Sequence, residues 1–219
     1  MNTVARFAEN STALPNWVFA GPTNIGGRVT TINMHSSSQQ IIYVGSASGG
    51  VFKSTNQGTT WNPIFDANPS LSIGDIAIAP SNASILFVGT GEPNNGRGSV
   101  TYDGQGIFKS TDAGVTWTSV GLANTRNTGR IAIHPTNPNI VLAATMGDLF
   151  AIGPNRGVYR TTNGGTTWTQ TLYVNDSTGA MDICIDPSNP LNVYAATWTR
   201  IRRPMVYNYG GTGGNVYKS

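Results

Sequence analysis

Charge is scarce in this chain. Asp, Glu, Lys and Arg together make up 11% of its 219 residues, and 13 basic against 10 acidic residues leave a net charge of only +3. Such a balance excludes a coiled coil or a helical bundle built on charged faces. It also gives no electrostatic footprint for nucleic acid. There is a single cysteine, Cys184, so no internal disulfide can form. Within Asp182-Ile183-Cys184-Ile185 it reads as a buried, inert thiol. No stretch approaches the roughly 18 apolar residues of a helical membrane span, and residues 1–16 lack the apolar core of a signal peptide. With two histidines and one cysteine, no metal-ligand spacing appears, and no cofactor is expected. What the chain has instead is 27 glycines, 12 prolines and 9% aromatic residues. That composition predicts many short strands joined by turns.

An eight-residue pattern occurs three times, as Ser54-Thr-Asn56-Gln-Gly58-Thr-Thr-Trp61, Ser110-Thr-Asp112-Ala-Gly114-Val-Thr-Trp117 and Thr161-Thr-Asn163-Gly-Gly165-Thr-Thr-Trp168. Asp or Asn closes a turn on its own backbone. Glycine two positions later supplies positive φ, and Thr and Trp open a strand. Turn geometry and packing account for every residue type in the box, so the box reads as structural. Each copy follows a strand: Gly50–Lys53, Gly106–Lys109 and Gly157–Arg160. Asn215–Ser219 begins a fourth copy. Two further strands precede each box, the first alternating as Ile32/Met34, Ile76/Ile78, Ile131/Ile133 and Ile183/Ile185.

Four antiparallel strands recurring with tryptophans 56 and 51 residues apart predict an all-β propeller of four-stranded blades. The expected blades are about 28–66, 72–122, 128–174 and 180–219, the last incomplete. Residues 1–16 are expected to be extended or disordered. Trp17-Val18-Phe19-Ala20-Gly21 matches Trp117–Gly121 in kind and is expected to be an outer strand closing the ring's last blade. A partial ring of this kind reads as the N-terminal part of a longer protein whose further sequence holds the remaining blades.

The boxes resemble the Asp-box, or bacterial neuraminidase, repeats of sialidases, sortilin-type domains and xyloglucanase-type glycosidases. Gly26-Gly27-Arg28-Val29, Gly89-Thr-Gly91-Glu92-Pro93-Asn94 and Gly129-Arg130-Ile131 resemble a narrower group of exported bacterial proteins, called sortilin-like or photosystem II assembly factor-like. The resemblance covers residues 17–219 and implies an extracytoplasmic location. It is specific for fold and weak for activity. The Arg-Ile-Pro of sialidases is missing. Where xyloglucanase-type enzymes carry a catalytic Asp, in Tyr-x-x-Thr-Asp-x-Gly-Gly, this chain has Ala47 within Tyr43–Gly50. A glycosidase needs two carboxylates.

Functional side chains are expected on the long loops between second and third strands, which share one face of the disc. Glu92 and Asp148 are the candidate general acid or base residues. Arg28, Arg97, Tyr102, Arg130, Arg156, Trp198, Arg200, Arg202, Arg203 and Tyr207 are the candidate ligand-binding side chains, with the arginine cluster suited to a sugar acid, a carboxylate or an acidic peptide. Asp75, Arg130 and Asp182 begin first strands and are expected to pair between blades. Two readings of function follow: a non-catalytic scaffold binding protein or glycan, and a carbohydrate hydrolase whose second carboxylate lies elsewhere. A sialidase is the weakest of the possibilities.

Overall fold

A computed structural model describes residues 18–21, 27–35, 37–94, 101–203 and 206–219. Three four-stranded antiparallel sheets follow one another along the chain. The first runs β1 (Val29–His35), β2 (Ser38–Ser46), β3 (Gly50–Ser54) and β4 (Asn62–Pro63). The second comprises β5 (Ile73–Ala79), β6 (Asn82–Thr90), β7 (Ile107–Ser110) and β8 (Thr118–Ser119). The third comprises β9 (Thr128–Ile133), β10 (Val141–Thr145), β11 (Gly157–Thr161) and β12 (Thr169–Leu172). A fourth sheet pairs β13 (Thr178–Ile185), β14 (Val193–Thr199) and β17 (Val216–Lys218). A hairpin of β15 (Ile201–Arg203) and β16 (Val206–Asn208) is inserted between β14 and β17. Strand order equals chain order in each four-stranded sheet. This is the meander of a propeller blade, and the chain forms part of a β-propeller.

The core lies between blades. Tyr43, Val51, Phe65, Ile76, Leu86 and Phe108 fill the first junction. Ala77, Phe87, Ile107, Ile131 and Val141 fill the second, and Leu142, Val158, Ala180, Ile183 and Ala195 the third. The alternation read from the sequence puts one face of each sheet against its neighbour. It also corrects the expectation for Cys184, which is exposed. Ile183 points into the third junction, so Cys184, one residue on in the same strand, points the other way, to a face that no sheet of the described residues covers.

The boxes are built as hydrogen-bonded turns. In the second, Ser110 Oγ donates to Asp112 Oδ1 and accepts from the Gly114 amide. Asp112 in turn accepts from the amide and hydroxyl of Thr116. Asn56 and Asn163 accept in the same way from the amides of Thr60 and Thr167. Each box tryptophan then reaches backward to an earlier stretch of backbone. Trp117 Nε1 donates to the Ile64 carbonyl at 2.8 Å and Trp168 Nε1 to that of Val120 at 2.7 Å. Trp61 Nε1 donates to the carbonyl of Ala20 at 2.8 Å. Residues 18–20 are not paired into a sheet, yet Ala20 occupies the acceptor place that outer-strand segments fill elsewhere. Trp17 lies outside the described residues.

Trp117→Phe removes the donor together with the five-membered ring of the indole, so it should cost more than the about 1 kcal/mol of the hydrogen bond alone in urea unfolding. Gly114→Ala should cost more. Its φ of +88° disfavours any side chain, and a Cβ there would sit 2.7 Å from Ile64 Cδ1; the backbone alone accounts for about 1–2 kcal/mol. The Thr116 hydroxyl bond holds the exposed Asp112 carboxyl down to about 2. A depressed carboxyl contributes stability above its unfolded pKa and loses it as pH falls through the folded one. Asp112→Asn should therefore flatten the acid limb of the melting temperature between about pH 4 and 2, measured by thermal scans across that range.

Candidate functional site

First strands line a cleft of about 520 Å³ at the centre of the arc, where Thr31, Asp75, Arg130 and Asp182 project from equivalent positions. They link blade to blade. Thr31 Oγ1 donates to Asp75 Oδ1 at 2.8 Å, and the Ile131 amide donates to Asp75 Oδ2 at 2.8 Å. Arg130 Nε pairs with Asp182 Oδ1 at 3.1 Å, with both side chains exposed. Asp75 is buried, and burial pushes its carboxyl pKa upward against the pull of its hydrogen bonds.

Glu92 begins the long loop of the second blade and is buried, at 2% exposure. Arg28 Nη2 donates to its Oε2 at 2.5 Å, and the Asn94 amide donates to its Oε1 at 2.5 Å. Arg28 is half exposed, and its hydrogen bond to Glu92 raises its pKa. Both Glu92 oxygens are thus occupied within the protein. Asp148 is also engaged, its Oδ1 accepting from the Phe150 amide to close a turn. Arg97 lies outside the described residues.

Arg156, expected among the ligand-binding side chains, is instead buried at 1% exposure. Its guanidinium donates to the carbonyls of Met146, Asp148 and Ala151 and, at 3.4 Å, of Arg200. Five donors in a fixed fork suit an irregular loop whose carbonyls have no strand partner. Arg156 therefore shapes the third blade's loop. Burial lowers its pKa.

In the fourth blade, Arg200 is buried beside Trp198 and Tyr209, its Cζ 4.8 and 5.5 Å from their ring centroids. Burial first, and then the neighbouring Arg202, lower its pKa, while Glu92 acts in the opposite sense. Arg202 is buried as well. It donates to Thr101 Oγ1 at 2.5 Å and lies over the Phe150 ring at 5.6 Å, which draws the long loops of three blades together. Arg203 and Tyr102 are exposed. Tyr207 stands opposite Arg202 in the hairpin. Beside these arginines lie the half-buried Trp198 and the partly exposed Tyr209, their rings 6.3 Å apart and tilted by 35°, with Trp198 Nε1 donating to the Tyr209 carbonyl.

The structure thus brings Arg28 to Glu92, and Arg200 to Trp198, within one face, whereas Arg130 belongs to the central cleft. Sequence reasoning missed Thr101 and Phe150 as partners of Arg202. Nothing in the sequence signalled the inserted hairpin or linked Thr101 to it. Among the described residues, no group of three or more His, Cys, Asp or Glu side chains is arranged to hold a metal ion.

Residues 49–182 match the family model for Sortilin-Vps10, described as sortilin, neurotensin receptor 3. The chain belongs to the Sortilin-Vps10 family. It is also 26% identical over 148 residues to xyloglucanase Xgh74A of Acetivibrio thermocellus, a match covering 55% of this chain and 16% of that protein. Among solved structures, an ancestral GH74 enzyme superposes with a TM-score of 0.62 at 26% identity, over 78% of this chain and 22% of its own. The GH74 enzyme of Niastella koreensis superposes at 0.58 with 23% identity, over 83% and 30% of the two chains. This Sortilin-Vps10 chain therefore spans less than a quarter of the xyloglucanase it matches, and its propeller is related to those of glycoside hydrolases.

Asp75→Asn should fit the central cleft, with its carbonyl accepting from Ile131 and its amide donating to Thr31. Asp75→Ala leaves the Ile131 amide without its acceptor and should cost about 2 kcal/mol. Because the Asp75 pKa is raised on folding, the stability this group contributes is complete below its unfolded pKa and is lost as pH rises through the folded one. Urea unfolding at several pH values should show that dependence in the native protein and lose it in Asp75→Asn.

Proposed function

We propose that this chain is part of a non-catalytic propeller module of a larger exported protein, and that it binds a protein or glycan ligand on the face carrying the long loops. The observation that carries the reading is the state of Glu92. A general acid must meet the reacting group with a free, protonatable oxygen, whereas both Glu92 oxygens are bonded inside the protein and one faces a guanidinium. Asp148 is committed to a turn. Ala47 fills the position where the resemblance to xyloglucanase-type enzymes implies an acid. The tilted Trp198 and Tyr209 pair offers the flat, amphipathic surface on which sugar rings or peptide side chains pack. Low charge and abundant Thr, Asn and Gly agree with a location outside the cytoplasm. Further blades in the same protein are part of this reading.

A second reading is favoured by the 26% identity to a xyloglucanase. In it the module is one wall of a glycoside hydrolase, and the catalytic pair is completed from outside this chain.

Calorimetry of the protein with xyloglucan, other plant glycans and acidic peptides should reveal a ligand without turnover. Trp198→Ala should weaken that binding by roughly tenfold or more, while Glu92→Gln with an intact fold leaves ligand contacts in place. Release of reducing sugar that disappears in Glu92→Gln would overturn the scaffold reading in favour of the hydrolase.

A further inference from the structure

Between β8 and β9 the chain passes from the second blade to the third, with Arg126 at the centre of a tight turn. Its φ is +57° and its ψ −51°, and across it the Asn127 amide donates to the Thr125 carbonyl at 2.5 Å. This is a γ-turn of the strained hand, which residues other than glycine rarely adopt. The turn is clamped on both sides. The Gly104 amide donates to the Arg126 carbonyl at 2.7 Å, and the Met146 amide donates to the carbonyl of the buried Asn127 at 2.8 Å. Glycine would take the same backbone with less strain, so the fold alone gives no reason for arginine here. Backbone strain kept at an exposed charged residue points to a ligand contact.

A cleft of about 270 Å³ opens beside this turn. Asn124 and Arg126 form one wall, and Asp148, Ile152, Pro154 and Asn155 of the third blade's long loop form the other. The Arg126 side chain is 45% exposed. Among the described residues its guanidinium makes one hydrogen bond, Nη1 donating to Asp103 Oδ2 at 2.8 Å, which leaves the rest of the fork unbound. Asp148 uses Oδ1 for the Phe150 amide, and its Oδ2 accepts no hydrogen bond from a described residue. Arg156 also lines the cleft, but both its Nη groups are bound to carbonyls. The cleft thus presents a donor fork on one wall and a carboxylate oxygen on the other, with an aliphatic patch beside them.

These features select a class of ligand. A bare anion would meet Asp103 and Asp148 beside Arg126. A sugar ring would lack a flat aromatic partner, since no aromatic side chain of the described residues lines the cleft. A molecule with opposite charges at its two ends matches both walls, and the volume, below that of drug-sized pockets, suits something small. We propose that this cleft binds a free α-amino acid with an aliphatic side chain. Arg126 takes the carboxylate, Asp148 the ammonium, and Ile152 and Pro154 the side chain. Neither Trp198 nor Tyr209 lines the cleft, so the site is separate from the aromatic surface of the function proposed above and does not depend on it.

Calorimetric titration of the 219-residue protein with L-leucine should show saturable binding, with a dissociation constant of about 1 mM or below. N-acetyl-L-leucine lacks the ammonium and L-leucinamide lacks the carboxylate, and each should bind roughly tenfold more weakly. Asp148→Asn keeps an oxygen for the Phe150 amide and should weaken leucine binding to a similar degree. Arg126→Gly removes the fork and relaxes the turn, so leucine binding should weaken while the melting temperature stays level or rises. Trp198→Ala should bind leucine as the native protein does. Absence of saturable leucine binding, equal binding of either leucine derivative, or unchanged affinity in Arg126→Gly would overturn the proposal. So would a lowered melting temperature in Arg126→Gly, which would make the arginine structural, or loss of leucine binding in Trp198→Ala. Displacement of leucine by an equal concentration of methyl glucoside would also overturn it, since the cleft would then be a sugar site.

Discussion

The second and third blades are each held to their predecessor by an indole N–H aimed at a backbone carbonyl, and the first is held in the same way to the segment before it. Trp61, Trp117 and Trp168 make this bond to Ala20, Ile64 and Val120. Its geometry demands that the turn bearing the tryptophan approach the neighbouring chain closely. Glycine at positive φ allows the approach, with Gly58, Gly114 and Gly165 all in that region. The turn itself is prepared by a hydroxyl at the first box position and an Asp or Asn at the third. Removing any of these parts misplaces the donor, so the box is conserved as a device within this one chain even though its sequence drifts between Asn and Asp, or Ser and Thr.

Inter-blade packing of this kind leaves the long loops free to vary, because none of their residues takes part in the lock. The loops here have used that freedom to bury arginine. Arg156 holds one loop by its carbonyls, and Arg202 joins a second-blade threonine to a third-blade phenylalanine. Charge, rare in the chain, is concentrated where regular backbone pairing gives out. Guanidinium groups serve this purpose because a single planar fork satisfies several carbonyls at once.

The blade architecture was legible in the sequence because it repeats. Three boxes at nearly constant spacing, each after an apolar strand, determine both strand order and the face on which the loops emerge. The site was much less legible. Glu92 was recognisable as unusual, but its pairing with Arg28 joins residues 64 positions apart in different blades, and no periodicity reports such contacts. Arg156 read as a ligand-facing side chain because burial of a charge has no local sequence sign. Cys184 read as buried because alternation predicts which residues share a face, without stating whether that face is covered.

The ties around the central cleft differ in kind. Asp75 bonds blade one through Thr31 and blade three through Ile131 while itself rooted in blade two, and it is shielded from water. Blade four is joined at the equivalent position by Arg130 and Asp182, both in solvent, where an ion pair is screened and weak. The first three blades thus share one shielded carboxylate, whereas the fourth depends for its attachment on the apolar third junction and on the arginines of the long loops.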